Sequence, residues 1–357
     1  MYNIGSVLHH PICIMPQSVD FDAQGEIFTN TEDEILIEVK NLTKTYGKHK
    51  ALDGVSFKVR NRKIYGLLGP NGAGKSTTMN ILAGCLAPTD GTVVVNGYDI
   101  CDNPIEAKKQ IGYLPEIPPL FPDATPYEYL TFVAEAKGVK GETVELQVKE
   151  AMALTGLTAV ADRIIRNLSK GYQQRVGIAQ AILGNPDIVI LDEPLVGLDP
   201  KQIIDIRALI KKLAQTKTVI ISSHILAEIS NLCDHIIIIS DGKVVADNET
   251  EDLERDSMNV QILVLTVKGQ GRAAADVLQK INGVTAVDIV TEKDGQAVLQ
   301  VSIASDKDLR DEIFFAMADA RLAVLSMEQR EQSLEDVFLN LTGYTAPERE
   351  YDQEEEN

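Results

Sequence analysis

The chain has 357 residues, which is enough for one standard domain and a smaller one. Its net charge of −19 disfavours nonspecific nucleic-acid binding, because such binding depends on Lys and Arg neutralising phosphates. No apolar run approaches the ~20 residues that cross a bilayer, and the N-terminus lacks the basic segment and apolar core of a signal peptide, so any membrane-spanning part is expected in another polypeptide.

Both ends of the chain are acidic. Residues 1–34 contain six acids and no Lys or Arg, and residues 347–357 contain six acids and one Arg. An excess of charge of one sign predicts solvated, disordered tails that take no part in catalysis.

The four cysteines are scattered along the chain at Cys13, Cys85, Cys101 and Cys233. None of them forms the C-x-x-C spacing of a metal or redox site. We therefore expect free thiols in a reducing cytoplasm.

The first predicted element is an edge-like strand at Ile35–Val39, which precedes a turn at Tyr46-Gly47-Lys48. A short apolar strand at Ile64–Leu68 follows and runs into a glycine-rich loop. The loop residues are Gly69, Pro70, Asn71, Gly72, Ala73, Gly74, Lys75, Ser76 and Thr77. They match the spacing G-x-x-x-x-G-K-[ST], and Ser76–Ala83 continues as a predicted helix.

This phosphate loop predicts a binding site for a nucleoside triphosphate. Glycines without Cβ let successive backbone N–H groups turn toward the phosphates, and the helix N-terminus faces the anion. Lys75 reaches the outer phosphates as a point charge, and the Ser76 hydroxyl can ligate Mg²⁺. Strand, loop and helix occur in the required order, which disfavours the alternative of a chance glycine-rich turn.

The segment from Glu116 to Arg166 has a helical pattern punctuated by prolines. Its aromatic residues include Phe121, Tyr127, Tyr129 and Phe132. Apolar residues at helical spacing suit either a docking surface or the ordinary core of a domain, and both interpretations stay open.

A second helix N-terminus that could bind phosphate is predicted after Ser169. This serine is a candidate helix cap, and Gly171 permits a close approach to the backbone. The helix cannot easily serve the phosphate loop of its own chain, because that loop is already complete.

Two further strands end in polar residues. Asp187–Leu191 is an apolar, β-branched run followed by Asp192 and Glu193, as expected of a buried parallel strand with carboxylates at its carboxyl end. Downstream of a phosphate loop, Asp192 suits Mg²⁺ and Glu193 suits the attacking water, in preference to a solvated strand end. Thr218–Ser223 is the second run and ends at His224, which alone is a weak signal.

Together, these motifs resemble the ATP-binding subunit of an ABC transporter over about residues 35–245. The matching segments are the phosphate loop, the acidic strand, the signature segment Leu168–Gln174, Gly197-Leu198-Asp199 and His224. The resemblance implies an α/β fold of the ABC P-loop type over residues 35–250, with a RecA-like core and an antiparallel β subdomain. A helical subdomain would occupy about residues 116–166 and dock on a membrane partner.

The resemblance also implies a head-to-tail homodimer, with ATP held between the phosphate loop of one chain and the signature segment of the other. The residues implied to act in trans are Ser169, Lys170, Gly171 and Asp199, the last as a coupling residue between the two sites. Glu193 would polarise the attacking water, and His224 would touch the γ-phosphate. Tyr46 would stack on adenine, and a half-buried strand-end aromatic is the alternative.

The chain departs from the family pattern at two places. The signature commonly reads Leu-Ser-Gly-Gly-Gln, whereas Lys170 and Tyr172 stand in its third and fifth positions. The family usually has a Gln that senses Mg²⁺ where this chain has Glu116. A carboxylate can also ligate Mg²⁺, but it adds negative charge beside ATP.

A second domain is predicted over residues 259–343. Its patterns follow one another as β-α-β-β-α-β, with a hairpin turn at Lys293-Asp294-Gly295, and this order suggests a ferredoxin-like α+β unit. Ser333 then caps a helix with Asp336 near its third position, and Ser333–Leu339 resembles the C-terminal end of exporter-type ABC ATPases. A dimerisation or regulatory module is favoured over a second enzyme, and a small-ligand sensor stays open.

The sequence therefore predicts an ATPase that drives export with ATP and Mg²⁺ at the cytoplasmic face of the membrane, through a separate permease and without nucleic acid. A soluble mechanical ABC ATPase acting on ribosomes or DNA is the alternative. Such proteins typically carry two cassettes or a long coiled-coil insertion, and this chain has one cassette and neither insert. A purely regulatory binding module is disfavoured because Glu193 and His224 are both present.

Overall fold

The computed structural model describes residues 34–253, 260–304, 308–331 and 334–342. The predicted tails, except Glu34, and the predicted cap Ser333 lie outside these ranges. Within the ranges, no helix combines the length and the apolar character that a membrane span requires. The three cysteines in the described part of the chain are free thiols, as predicted.

The N-terminal domain, residues 34–253, is built from two sheets and a helical segment. Its strands are β1 (Ile35–Tyr46), β2 (His49–Arg60), β3 (Ile64–Leu68), β4 (Asp90–Val95), β5 (Tyr98–Asp99), β6 (Ile111–Leu114), β7 (Ile188–Leu191), β8 (Thr218–Ser223), β9 (His235–Ser240) and β10 (Lys243–Glu249). Its α-helices are α1 (Lys75–Leu82), α2 (Pro104–Lys109), α3 (Pro126–Ala136), α4 (Gly141–Thr155), α5 (Lys170–Ile182), α6 (Pro200–Ala214) and α7 (Leu226–Ser230).

The smaller sheet is antiparallel, with the strand order β2-β1-β4-β5. β1 is therefore an internal strand, and the prediction of an edge strand at Ile35–Val39 is wrong. β4 pairs along the side that was expected to be free, with Ile37 opposite Val95 and Val39 opposite Val93. All four side chains are buried, and the burial of these cross-strand pairs accounts for the internal position.

The larger sheet has the order β10-β9-β3-β8-β7-β6. Its strands run parallel except β10, which pairs antiparallel with β9 at one edge. β3, β7 and β8 are buried at every position, because one face of the sheet packs on the antiparallel layer and the other on helices. Parallel strands end at the same edge of a sheet, so the residues that follow β3, β7 and β8 converge there.

The helical segment consists of α3, α4 and the 3₁₀ turns Thr158–Val160 and Ile165–Asn167. A capping box starts α3, in which Thr125 accepts from the Glu128 N–H and the Glu128 carboxylate accepts from the Thr125 N–H. At its other end, the Lys137 ammonium donates to three carbonyls at the end of α5, those of Gln180, Ala181 and Leu183, at 2.7, 3.0 and 3.0 Å.

The C-terminal unit has its own sheet and core. Its elements are β11 (Val260–Lys268), α8 (Gly271–Leu278), β12 (Val284–Lys293), β13 (Gln296–Ala304), α9 (Arg310–Asp319) and β14 (Ala323–Glu331). The sheet is antiparallel, with the order β12-β13-β11-β14, and its core includes residues of both helices. The ferredoxin-like interpretation of this unit stays a prediction.

A last helix, α10 (Leu334–Thr342), lies against the N-terminal domain and contacts α7, β9 and β10. Phe338 is buried in the same apolar cluster as α7 and the helical segment. The Ser240 hydroxyl donates to the Thr342 carbonyl at 3.3 Å, and Arg330 of β14 donates to the Asp336 carboxylate at 2.8 Å. α10 thus bridges the two parts of the chain.

Candidate nucleotide-binding site

The phosphate loop lies between β3 and α1, as the sequence predicts. Gly69 tolerates no side chain, because a Cβ there would lie 2.2 Å from the carbonyl oxygen of Ile239. Lys75 folds back over the loop and donates to the carbonyls of Gly69 at 2.8 Å and Pro70 at 3.1 Å. Burial lowers the pKa of Lys75, and the neighbouring carboxylates of Glu193, Asp192 and Glu116 oppose this shift. The Lys75 ammonium is therefore buried, and the three carboxylates favour its charged form.

A cavity of about 640 Å³ opens over the loop, a volume in the range of small-molecule sites. The predicted site residues that line it are Tyr46, Asn71, Gly72, Gly74, Lys75, Ser76, Thr77, Glu116, Glu193 and His224. Tyr46 lies at its rim with 48% of its surface exposed, and the Lys44 ammonium is 5.3 Å from the ring centroid. One end of the cavity is thus a phosphate cradle, and the other offers an aromatic ring.

The acids that follow β7 face the phosphate loop. Asp192 is 2% exposed, and its Oδ1 atom accepts from the Ser76 hydroxyl at 3.4 Å. Adjacent ligands of an octahedral Mg²⁺ ion lie roughly 3 Å apart, so this hydroxyl and carboxylate fit two ligand positions. The residues described contain no cluster of three or more His, Cys, Asp or Glu suited to a metal.

Glu193 and His224 form a pair at the end of the neighbouring strands. The Nδ1 atom of His224 lies 3.2 and 3.1 Å from the two carboxylate oxygens of Glu193. The Lys75 ammonium is 3.9 Å from the Oε1 atom of Glu193. Glu193 has φ of +48°, a left-handed conformation that is unusual for a residue with a side chain. A carboxylate beside the phosphate loop can take a proton from a water that attacks a phosphate.

Sequence reasoning missed Ser222, which lies between the two acids. Its hydroxyl donates to Asp192 Oδ1 at 2.5 Å and accepts from the Glu193 N–H at 2.7 Å. The available signal was the pair Ser222-Ser223, which ends a strand with an apolar centre directly before His224.

The signature segment, Leu168–Gln174, lies outside the 640 Å³ cavity. Ser169 caps α5 by accepting from the Tyr172 N–H at 3.4 Å, which confirms the predicted cap. Asp199 caps α6 by accepting from the Gln202 N–H at 2.8 Å. Neither Ser169, Gly171 nor Asp199 is among the described residues around the 640 Å³ cavity. Lys170 lines a neighbouring cavity of about 710 Å³, which shares Glu116 and Glu193 with the first.

Comparison with known proteins assigns the fold and the site to one class. Residues 52–196 match the family model described as ABC transporter. The linearmycin resistance ATP-binding protein LnrL of Bacillus subtilis is 33% identical over 311 residues, which are 87% of this chain and 99% of that protein. The bacitracin transport ATP-binding protein BcrA of Bacillus licheniformis is 33% identical over 310 residues, which are 86% of this chain and 97% of that protein.

A solved structure supports the same assignment. It is described as a dimeric, post-hydrolysis state of the ATP-binding cassette MJ0796 bound to ADP and Pi. It shares 30% identity with this chain, covers 60% of it and 98% of its own length, and aligns with a TM-score of 0.55. The chain belongs to the ABC transporter ATP-binding proteins. It is an ATPase, and the residues that match the family model lie in its N-terminal domain, the cassette.

Proposed function

We propose that the chain is the ATP-hydrolysing subunit of an exporter and that it works as a head-to-tail homodimer. It drives a separate membrane permease at the cytoplasmic face of the membrane. Relatives that align along nearly their whole length are named for antibiotic resistance or transport, which supports the export assignment.

The separation of Ser169 and Gly171 from the phosphate cavity carries this proposal. The phosphate loop, Glu116, Glu193 and His224 line one cavity, whereas Ser169 is exposed at the N-terminus of α5 outside it. The first N–H groups of a helix form an anion site that has no phosphate to bind on its own chain. A second copy in head-to-tail orientation supplies one: its phosphate loop would face Ser169, Lys170 and Gly171 across a shared ATP.

Each residue around the cavity has a role in this scheme. Lys75 and the loop N–H groups hold the phosphates, and Ser76, Asp192 and Glu116 are the residues that would hold Mg²⁺. The ion supplies charge neutralisation on the phosphate oxygens. Glu193 accepts the proton of the attacking water while His224 orients Glu193 and contacts the γ-phosphate.

The remaining residues complete the composite site. Tyr46 stacks on adenine, since its exposed ring borders the phosphate cradle. From the second chain, Lys170 adds a positive charge next to the N-terminus of α5, and Asp199 holds the start of α6 behind it. Catalysis is then mainly positioning and electrostatic stabilisation of the transferred phosphoryl group.

Complementation between two inactive variants tests the composite site. Lys75→Ala removes the phosphate-loop charge, and Gly171→Glu places a carboxylate where the second chain's phosphates would lie. Each variant alone is expected to be inactive. Their equimolar mixture should recover roughly a quarter of wild-type phosphate release, because half of the randomly exchanged dimers contain one intact site of two.

The control is a single chain that carries both substitutions, which no exchange can rescue. Circular dichroism verifies that Gly171→Glu is folded, since the new side chain must displace Gln202. A mixture as inactive as its components, with heterodimers verified by differently tagged subunits, would contradict the head-to-tail site.

The helical segment is the expected contact for the permease. Ile117 lines the 710 Å³ cavity, Phe132 lies on α3 and Phe121 packs on Phe132, and all three side chains are exposed. A helix from the permease that lies in this groove would touch the loop of Glu116, which also borders the phosphate cavity. Movement at the permease is thereby linked to the ATP site.

A further inference from the structure

We propose that Ser222 is a positioning residue for ATP hydrolysis, because one hydroxyl fixes the relative placement of Asp192 and Glu193. The inference rests on the roles proposed for these two acids. It concerns a side chain that reaches neither nucleotide nor metal and acts only through its two neighbours.

The hydrogen bonds of Ser222 have a defined direction. The Glu193 backbone N–H donates to the Ser222 oxygen at 2.7 Å, and the Ser222 hydroxyl donates to Asp192 Oδ1 at 2.5 Å. Asp192 is a carboxylate acceptor here, so the hydroxyl proton must point to it and leave its lone pairs for the N–H. Ser222 is completely buried, so water does not compete for these two hydrogen bonds.

The hydrogen bond from the Glu193 N–H to Ser222 holds Glu193 in a conformation that the backbone alone disfavours. At a φ of +48°, Glu193 is strained, and such residues persist only where the surroundings fix them. The Ser222 oxygen accepts from the Glu193 N–H, and loss of that acceptor leaves a buried donor unpaired. The peptide can then relax, which would carry the carboxylate away from His224 and Lys75.

The same hydroxyl orients the other acid. Asp192 Oδ1 accepts from Ser222 on one side and from Ser76 of the phosphate loop on the other. The Asp192 backbone N–H donates to the carbonyl of Leu114, which fixes the main chain and leaves the side chain to be set by the two serines. Hydrogen-bonded partners of this kind orient metal-binding carboxylates.

The adjacent Ser223 provides an internal contrast. Successive residues of a strand face opposite sides, and Ser223 donates to Glu228 and accepts from the Ile225 N–H. It therefore stabilises the turn into α7, on the side away from the acids. Ser222 is the member of the pair that serves the catalytic carboxylates.

An isosteric pair of variants tests the proposal. Ser222→Thr keeps the hydroxyl, and Ser222→Val has the same shape without it, so any disturbance from the added methyl group is common to both. The kcat of Ser222→Val should be roughly 10- to 100-fold below that of Ser222→Thr, the scale for loss of an outer hydrogen-bond partner. Any rise in the KM for MgATP should be limited to the lost Mg²⁺-dependent part of the affinity, because the phosphate loop is untouched. Equal kcat values in folded Thr and Val variants would overturn the proposal.

Equilibrium binding gives a readout independent of turnover. A fluorescent ATP analogue should bind both variants equally without Mg²⁺, whereas the gain in affinity on adding Mg²⁺ should shrink in Ser222→Val. Ser222→Ala serves as a third variant, with Ser302→Ala as its control, a buried strand serine outside the cassette. An unchanged Mg²⁺-dependent gain in Ser222→Val would argue against any action through Asp192.

A double variant separates this proposal from the role of Glu193 itself. If Ser222 acts partly through Glu193, adding Ser222→Ala to Glu193→Gln should lower kcat by a smaller factor than adding it to the wild type, because that part of the effect is already lost. Additive losses would overturn the coupling. Near-normal turnover of Glu193→Gln alone would instead reject the proposed role of Glu193, whatever the result at Ser222.

Discussion

At the residue scale, Glu193 is the proposed acceptor of the proton from the attacking water. Its carboxylate meets the His224 imidazole and lies 3.9 Å from the Lys75 ammonium, while its backbone is left-handed. A left-handed residue with a side chain costs on the order of 1–2 kcal/mol. The chain retains this cost at a position where it aims a carboxylate into the phosphate cavity, as expected of a functional residue.

Glu193→Gln should keep ATP binding and lose turnover. The amide preserves the shape of the side chain but cannot accept the proton of water, and loss of a general base typically costs 10²-fold or more, so we expect roughly that factor in phosphate release. ATP-dependent dimers should accumulate in gel filtration with Mg²⁺. Near-normal phosphate release would remove Glu193 from the catalytic role.

At the scale of elements, α3 and the signature helix α5 are joined end to end. The Lys137 ammonium donates to three carbonyls at the C-terminus of α5, where the helix dipole favours a cation. Burial lowers the pKa of Lys137 to about 8, because the charged tip is enclosed while its stem remains exposed. Displacement of α3 by a docked partner would therefore move the helix that carries Ser169 at its other end.

Phe132→Asp should uncouple the partner and leave the free subunit intact. Phe132 is 53% exposed and packs on Phe121 with the rings tilted by 46° and their centroids 5.3 Å apart, so a charge there changes a surface and spares the core. ATP binding and circular dichroism should match the wild type, while recovery of a membrane protein by affinity purification at native expression should fall.

The control is Phe314→Asp, which introduces the same charge at a 54% exposed phenylalanine of α9, in the C-terminal unit. It should retain the membrane partner. If the wild type instead recovers ribosomal proteins or DNA and no polytopic membrane protein, the soluble-ATPase alternative replaces the transporter proposal.

Local sequence predicted those parts of the site that follow a buried strand. The phosphate loop, Asp192 with Glu193, and His224 each come after an apolar run, and parallel strands bring such ends together. Ser222 and the internal position of β1 escaped prediction, because both depend on which strands are neighbours. Of the four aromatics between Glu116 and Arg166, Tyr129 is 3% exposed and belongs to the core, whereas Phe121 and Phe132 lie at the surface. Helical spacing alone cannot distinguish a core aromatic from a surface one.

At the scale of the whole molecule, α10 ties the C-terminal unit to the cassette. Phe338 lies in the cassette's apolar cluster, and the Arg330–Asp336 ion pair links α10 to β14. α7, which α10 contacts, begins two residues after His224. The C-terminal unit is thus connected, through α10 and α7, to the segment that carries His224.

Phe338→Ala should destabilise the cassette by on the order of 3 kcal/mol, the usual scale for truncating a buried phenylalanine. The free energy of unfolding, followed by denaturant titration of the full chain, measures this loss. Phe315→Ala is the control, because Phe315 is 64% exposed, and it should have little effect. Equal stabilities of the two variants would show that Phe338 contributes no core packing.

The position of Phe338 also sets an order of events during synthesis. The apolar surface of α7, β9 and β10 is translated before the entire C-terminal sheet, yet its covering helix comes after that sheet. At roughly 5–20 residues per second, the nascent cassette spends several seconds with this surface bare, and such surfaces are where chaperones and misassembly compete. A ribosome that stalls within β11–β14 would therefore hold a nucleotide-binding domain whose phosphate loop is complete and whose core is still open.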